Sequence, residues 1–280
     1  MENPYSQIIK QALAEDIGSG DHSSNCAIPL SAKGQMQLIV KEDGILAGVK
    51  VAQAVFAEVD PSIQFEKLIS DGTAVKKGDI AFYISGPIRA MLQGERIALN
   101  LMQRMSGIAT YTQALVQLIK HTDCRLLDTR KTTPNLRIVE KEAVRLGGGH
   151  NHRFGLFDMV MLKDNHVDFA GGVTEAVTKA KEYLKEHNLD IPIEVETRNF
   201  AEIEELLKCT GVLRVMFDNF SVADTIKAVQ LVGSRLETES SGGINEETLK
   251  SYAETGVNFI SVGALTHSVS GLDMSLKSKL

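Results

Sequence analysis

The sequence predicts an α/β protein in which a small α+β domain is followed by βα units arranged like those of a barrel. Three observations carry this expectation. Over residues 1–110 short strand-like runs are mixed with helical stretches; from about residue 122 apolar runs recur with helix-like segments between them; and each later run ends abruptly in a polar or glycine residue. At 280 residues the chain suffices for one large domain or two smaller ones.

Ile8, Ile9 and Leu13 form one side of an N-terminal helix, and GSGDHSSN after it reads as a polar loop able to cover something. MQLIV is strand-like, as is ILAG after the turn at Asp43-Gly44, with a helix near 49–58. IQFEKL and IAFYIS follow as strands, separated by a loop containing Asp71-Gly72 and Lys77-Gly78. Pro87 opens a long helix carrying Met91, Leu92, Ile97, Leu99 and Met102. In the second half the apolar runs are RLLDT, DMVML, IPIEVE, LRVMFD, SRLETE and VNFISVG. The last four start near 191, 213, 235 and 257, a repeat of about 22 residues, short for a βα unit but compatible with a compact barrel. Asn199, Ser221 and Asn245 are suited to begin helices, and Ser221 with Asp224 resembles a capping box.

Where the runs stop is informative. RLLD meets Thr129, Arg130 and Lys131; VML meets Lys163 and Asp164; IEVE carries Glu194 and Glu196; RVMF meets Asp218 and Asn219; LETES meets Ser241, Gly242 and Gly243; FISV ends at Gly263. In a (β/α) barrel the C-terminal strand ends converge on one mouth, where active sites form. Six readable strands fall short of a complete barrel, and a doubly wound sheet satisfies the same pattern.

The chain is acidic, with a formal net charge of -6, and its 43% hydrophobic and 24% charged composition is that of an ordinary globular protein. No apolar run approaches the roughly 20 residues needed to cross a bilayer. The start, MENPYSQIIKQALAEDIG, has no basic segment followed by an apolar one, so a cytoplasmic location is expected. Cys26, Cys124 and Cys209 are far apart and form no CxxC pair, which favours free thiols. Against this acidic background DTRKTTPNLR, GGGHNHR and LKDNH gather cations, together with His150, His152 and His166. Interleaved Asp128, Asp158 and Asp164, and the lack of an aromatic platform, favour a pocket for a small, multiply negative ligand over a nucleic-acid surface.

Arg130 can grip a carboxylate or phosphate through two parallel bonds, which Lys131 cannot. His152 and Arg153 follow Gly147-Gly148-Gly149, a loop able to approach a ligand closely. Glu196 and Asp218, at the ends of successive strands, could hold Mg²⁺ partly through water; the alternative is that one of them only pairs with Lys163 or Arg130. Glu194 shares the strand face of Glu196, and their division of labour stays open. Ser241-Gly242-Gly243 and Gly263-Ala264 offer backbone N–H groups to a phosphate, with His267 one turn further on. Dinucleotide, P-loop, zincin and serine-hydrolase motifs are absent.

At these residues the chain resembles the quinolinate phosphoribosyltransferases, also called nicotinate-nucleotide pyrophosphorylases (carboxylating). The resemblance runs in order through GDHSS, ERIALNLMQRMSGIAT, LLDTRKTTPNLR, GGGHNHRFGLFD, MLKDNH, IEVE, FDN, SGGI and ISVGALTHS, nearly the whole chain. It implies an open α+β sandwich domain over 1–111 and an incomplete, six- or seven-stranded α/β barrel over 112–269, type II phosphoribosyltransferase-like. A tail over 270–280 would have the N-terminal domain to pack on. It implies transfer of phosphoribose from phosphoribosyl diphosphate (PRPP) to quinolinate with decarboxylation, giving nicotinate mononucleotide, diphosphate and CO₂ in NAD biosynthesis. It implies Mg²⁺, and a homodimer in which the N-terminal domain covers the partner's barrel mouth, with higher assembly left open. Carried over by position, Arg130, His152 and Arg153 would grip the quinolinate carboxylates, with Arg96 of the partner subunit. Lys131 and Lys163 would lie between quinolinate and the diphosphate; Glu196 and Asp218 near the ribose hydroxyls and Mg²⁺; Ser241, Gly242, Gly263 and His267 at the 5′-phosphate. Asn135 stands where many relatives have Gly after Pro134, a change that a turn tolerates.

Three rival readings are distinguishable. A barrel aldolase would use Lys163 as a Schiff-base lysine and be trapped by borohydride. A phosphoribosyltransferase acting on nicotinate itself would release no CO₂. A nucleic-acid-binding module would show strong salt-dependent retention on filters.

Overall fold

The computed structural model describes residues 4–279. In chain order the elements are α1 (Ser6–Ile17), α2 (His22–Ala27), β1 (Lys33–Val40), β2 (Gly44–Ile45), α3 (Val49–Val59), β3 (Gln64–Lys67), β4 (Ala74–Val75), β5 (Ile80–Pro87) and α4 (Ile88–Ile119). Then come β6 (Arg125–Leu127), α5 (Arg137–Leu146), β7 (Val160–Leu162), α6 (Asp164–Ala170), α7 (Val173–Glu186), β8 (Ile193–Thr197), α8 (Phe200–Leu206) and β9 (Arg214–Asp218). The chain finishes with α9 (Val222–Val232), β10 (Glu237–Ser241), α10 (Glu246–Ala253), β11 (Phe259–Ser261), α11 (Ala264–His267) and β12 (Met274–Ser278).

These elements form two compact units. One holds the described residues up to Gln113 with Thr132–Gly148 and the chain from Leu265; the other holds Ala114–Lys131 and Gly149–Ala264. In the first, a four-stranded sheet runs β12-β1-β5-β3, all pairs antiparallel. β1 alternates as a half-buried strand must: Met36, Leu38 and Val40 are buried, and the residues between them are less so. Phe82 of β5 meets Phe56 of α3 edge-on at 6.4 Å and Phe65 of β3 at 4.4 Å. Each such aromatic or aliphatic side chain taken from water contributes about 1.5–3 kcal/mol. GSGDHSSN differs from the expected loop: Asp21 accepts a bond from the Ser24 N–H (3.0 Å) and thereby caps the short helix α2. The C-terminal residues add a strand, with Met36 opposite Ser278 and Val40 opposite Met274.

The second unit is a six-stranded, wholly parallel sheet in the order β6-β11-β10-β9-β8-β7. Its six strands are the six apolar runs of the sequence; β6 pairs with β11 and β7 with β8, and these two edge strands do not pair with each other. This is the incomplete α/β barrel. Its intervening helices begin where expected: Asn199 accepts from Glu202 N–H, Ser221 from Asp224 N–H, and Asn245 from Glu247 and Thr248 N–H. At Ser221 the cap differs from a reciprocal box, since Asp224 accepts from the Ser221 hydroxyl rather than from a backbone amide.

Strand alternation divides the two faces of this sheet. Val195, Val215 and Phe217 pack outward on the helices with Val173, Val177, Ile203, Leu206, Ala228 and Val232. The register sets Glu194 beside Arg214 and Arg214 beside Glu237, then Glu196 and Glu239 beside Met216, then Asp218 beside Ser241. A period of two therefore puts every one of these charged residues on the opposite, inner face.

Candidate active site

Sequence-selected residues of the second unit lie at the C-terminal strand ends. Arg130 and Lys131 follow β6, Lys163 follows β7, Glu196 and Asp218 lie at the ends of β8 and β9, Ser241 ends β10, and Gly263 follows β11. The histidine loop reaches the same end because His150 bridges to Leu127 of β6: its N–H donates to Leu126 O (2.8 Å) and its carbonyl accepts from Asp128 N–H (3.1 Å). Arg96 lies on α4 and His267 ends α11, both in the first unit. His267 places its Nδ1 2.6 Å from the Ser268 hydroxyl.

Arg130 and Arg153 present like charges to each other. Burial, and then the Arg130 charge, pull the Arg153 guanidinium below its ordinary range, with Glu194 and Asp158 opposing. Arg153 is braced by a bond from its Nη1 to Met159 O (3.3 Å), and the loop after it by Asp158, which accepts from the Phe154 and Gly155 amides at 2.6 and 2.9 Å. Two guanidiniums close enough to act on each other's charge suit a ligand with two acidic groups.

Across the mouth, Lys163 Nζ donates to Glu196 Oε2 at 2.8 Å, so one of the paired carboxylates already has a cation beside it. Lys163 itself begins α6, where His166 Nδ1 accepts its backbone N–H (2.9 Å). Asp218 is pushed above the usual carboxylate range by burial and by the Glu196 charge, while Asn219 and Lys163 pull the other way. Asn219 is legible in the sequence as part of the strand end beside Asp218, but with no role in the site. It adopts φ 56°, donates from Nδ2 to Asp218 Oδ2 (2.9 Å), and donates its N–H to Ser241 O (2.9 Å). The following turn fits closely over it: Gly242 has φ +95°, and a Cβ there would come 2.2 Å from Asn219 Oδ1. Asn directly after a strand-ending Asp is the signal sequence reading could have used, because Asn tolerates positive φ.

Beneath the mouth, Glu194 and Glu239 are fully buried and His152 is 8% exposed. His152 Nε2 lies 3.1 Å from Glu194 and 3.4 Å from Glu239, while Arg214 Nη1 lies 3.1 Å from Glu239. Against the downward pull of burial, Glu194 and Glu239 raise the His152 pKa, while burial and the Glu239 charge push the Glu194 carboxyl up. Nδ1 accepts the Arg153 N–H (2.6 Å), so the ring's own hydrogen sits on Nε2, facing the two carboxylates. The ligand atoms of His152, Glu194 and Glu239 lie within 4.8 Å of one another and could hold a divalent ion. Arg214 already supplies positive charge at that point, and a mixed imidazole and carboxylate set suits a transition ion better than Mg²⁺.

Among the described residues no helix is long and apolar enough to cross a membrane. Two family models match: "Quinolinate phosphoribosyl transferase, N-terminal domain" over residues 21–106 and "Quinolinate phosphoribosyl transferase, C-terminal domain" over 108–277. The chain is 45% identical over 285 residues to quinolinate phosphoribosyltransferase [decarboxylating] 1b of Nicotiana tabacum, covering 96% of this chain and 81% of that protein. It is 41% identical over 271 residues to the probable nicotinate-nucleotide pyrophosphorylase [carboxylating] of Bacillus subtilis, covering 96% and 92%. The crystal structure of NadC from Streptococcus pyogenes superposes with a TM-score of 0.93 at 38% identity, over 100% of this chain and 99% of that one. Sequence, fold and strand-end geometry agree, and the chain belongs to the quinolinate phosphoribosyltransferase family.

Proposed function

We propose that this protein joins quinolinate to PRPP, releasing diphosphate and CO₂ and forming nicotinate mononucleotide. The observation that supports this reading best is the placement of Arg130 and Arg153 in loops at the strand-end mouth, where their like charges act on each other and a dicarboxylate would relieve them. Arg130 and Arg153 hold the quinolinate carboxylates, with His152 at their base. Lys131 and Lys163 lie toward the diphosphate, and the Ser241-Gly242 turn and Gly263 receive the 5′-phosphate.

Chemistry then reduces to positioning and charge. As the bond from the anomeric carbon to diphosphate lengthens, positive character grows on the ribose and negative charge on the leaving group, which Lys131 and Lys163 offset. The pyridine nitrogen forms the new bond to that carbon. Once the nitrogen is alkylated, its positive charge stabilises the electron pair left on the adjacent ring carbon as the carboxylate departs as CO₂; that carbon then takes a proton from water, so no organic cofactor is needed.

Glu196 and Asp218 suit Mg²⁺: both offer hard oxygen donors, and the repulsion that raises Asp218 is one a divalent cation relieves. When bound, the ion would neutralise diphosphate charge, and Lys163 would be released from Glu196 toward the substrate. Arg96 of the partner subunit completes the carboxylate grip in a homodimer whose N-terminal domains, residues 1–111, cover each other's barrels. A cytoplasmic location is supported by Cys26, Cys124 and Cys209, all free thiols.

The test is incubation with quinolinate, PRPP and Mg²⁺, measuring CO₂ and nicotinate mononucleotide together. Equal formation of both is expected; formation of neither overturns the assignment, and product from nicotinate without CO₂ would reassign the substrate.

A further inference from the structure

The inner face of the barrel carries a group of charged side chains that the reaction steps above do not use. Arg214 of β9 reaches both neighbouring strands: Nη1 to Glu239 Oε2 (3.1 Å) and to Glu194 Oε2 (3.8 Å), and Nε and Nη2 to Glu237 Oε2 (3.1 and 2.9 Å). Its guanidinium carbon also stands 4.0 Å from the centre of the Phe259 ring. Removing carboxylates and a guanidinium from water is costly, and apolar residues of the same size often serve stability as well. Such a group is therefore informative about what it holds in place.

It holds His152. Glu194 and Glu239 face Nε2, while the other ring nitrogen accepts the Arg153 amide (2.6 Å) and the His152 backbone N–H donates to Asp128 Oδ1 (2.9 Å). Asp128 lies two residues before Arg130. His152, through its ring and its backbone N–H, thus connects the interior of three strands to the segments bearing both guanidiniums of the dicarboxylate grip. With Nδ1 accepting, hydrogen must sit on Nε2, and that orientation is fixed by the two carboxylates.

We infer that Glu194, Glu239 and Arg214 are positioning residues: through His152 they set the placement of Arg153 and Arg130, and His152 serves as their link rather than as a carboxylate ligand. This inference rests on the quinolinate reading of the site. It also separates two glutamates of one strand, Glu196 belonging to the mouth and Glu194 to the support beneath it.

The test compares Glu194→Leu, Glu194→Gln, Glu239→Leu and Glu239→Leu combined with Arg214→Met. Glu194→Leu and Glu239→Leu should raise KM for quinolinate roughly ten- to hundredfold, as loss of a buried charged partner does, with KM for PRPP within about twofold. Glu194→Gln, which keeps an oxygen for Nε2–H, should restore most of the quinolinate affinity. Glu239→Leu alone leaves Arg214 short of one carboxylate and should lower Tm. The double variant should recover Tm while KM for quinolinate stays high. Recovery of KM together with Tm, or an unchanged KM in Glu194→Leu, overturns the inference. The ¹⁵N shifts of the His152 ring read the anchor without substrate: a fixed Nε2–H form in the unaltered protein, lost in Glu194→Leu, is expected, and an identical ring signature in both overturns it. Absence of quinolinate turnover in the unaltered protein would overturn the functional reading instead, and the ring shifts would still decide the anchor.

Discussion

Gly242 offers a sharp test of the strand-end site, because its neighbour Gly243 supplies the control. Both have positive φ, +95° and +61°, but a Cβ on Gly242 would lie 2.2 Å from Asn219 Oδ1 and 2.6 Å from its Cγ, whereas one on Gly243 meets nothing within 4 Å. In Gly243→Ala only the left-handed backbone is penalised, by about 1–2 kcal/mol. In Gly242→Ala a backbone penalty of about 1–3 kcal/mol is joined by displacement of Asn219 through about 1 Å. That displacement strains two bonds that Asn219 makes, to Asp218 Oδ2 and to Ser241 O, each 2.9 Å. Weakening them adds about 1 kcal/mol, for a total of roughly 2–4 kcal/mol.

At roughly 2–4 °C per kcal/mol, Tm should fall about 5–15 °C in Gly242→Ala and a few degrees in Gly243→Ala. The catalytic contrast should be larger. A shift of about 1 Å in the turn and in Asp218 should cost on the order of a hundredfold in kcat/KM for PRPP, while Gly243→Ala stays within about threefold of the unaltered protein. Thermal melts and steady-state kinetics with PRPP varied at saturating quinolinate provide the measurement. Equal Tm and equal PRPP kinetics in the two variants would refute the close approach of this turn to Asn219 and its phosphate role together.

Arg130→Lys keeps the charge but loses the planar fork, so kcat/KM for quinolinate should fall roughly ten- to hundredfold; a normal value would remove Arg130 from the carboxylate grip. If Arg96 of the partner subunit completes the site, Arg96→Ala and Lys163→Ala should each be inactive alone. Mixed in equal amounts and reassociated, they should regain about a quarter of full activity, since half the dimers are mixed and each has one intact site. No recovery despite confirmed mixing would refute the shared site. Burial, with a smaller push from Glu239, raises the Cys124 thiol to about 12, whereas Cys26 is exposed. A disulfide reagent at pH 8 should therefore modify Cys26 at once and Cys124 only after unfolding. By linkage, a raised thiol pKa gives stability that is present below the unfolded value near 9 and lost as pH climbs toward 12; urea midpoints constant across that window would contradict it.

The barrel was legible because its strands announce themselves twice, by an apolar outer face and by polar ends. Asn199, Ser221 and Asn245 act locally, so their capping could also be read from sequence. β12 could not be, since Met274 and Leu276 are buried only by pairing with β1 more than two hundred residues away. GSGDHSSN was read as a loop because its apolar content is small, yet Asp21 supplies the cap that lets a helix of 6 residues form. In the site, residue types and positions were readable, but partners were not. Glu194 and Glu196 look equivalent in IEVE, and only the third dimension gives one to His152 and the other to Lys163.

The same argument explains how an acidic chain makes an anion site. On the inner face the deeper charges satisfy one another: Arg214 lies among Glu194, Glu237 and Glu239, with His152 above them. Nearer the mouth, Arg130 and Arg153 repel each other, and Glu196 repels Asp218 even with Lys163 beside it. The guanidiniums suit a compact dianion and the carboxylates a cation. A dicarboxylate and a metal-bound diphosphate would answer both at once, which a monocarboxylate would not. Net charge says little about such a site, because its field is set over a few ångströms by which charges the fold brings together.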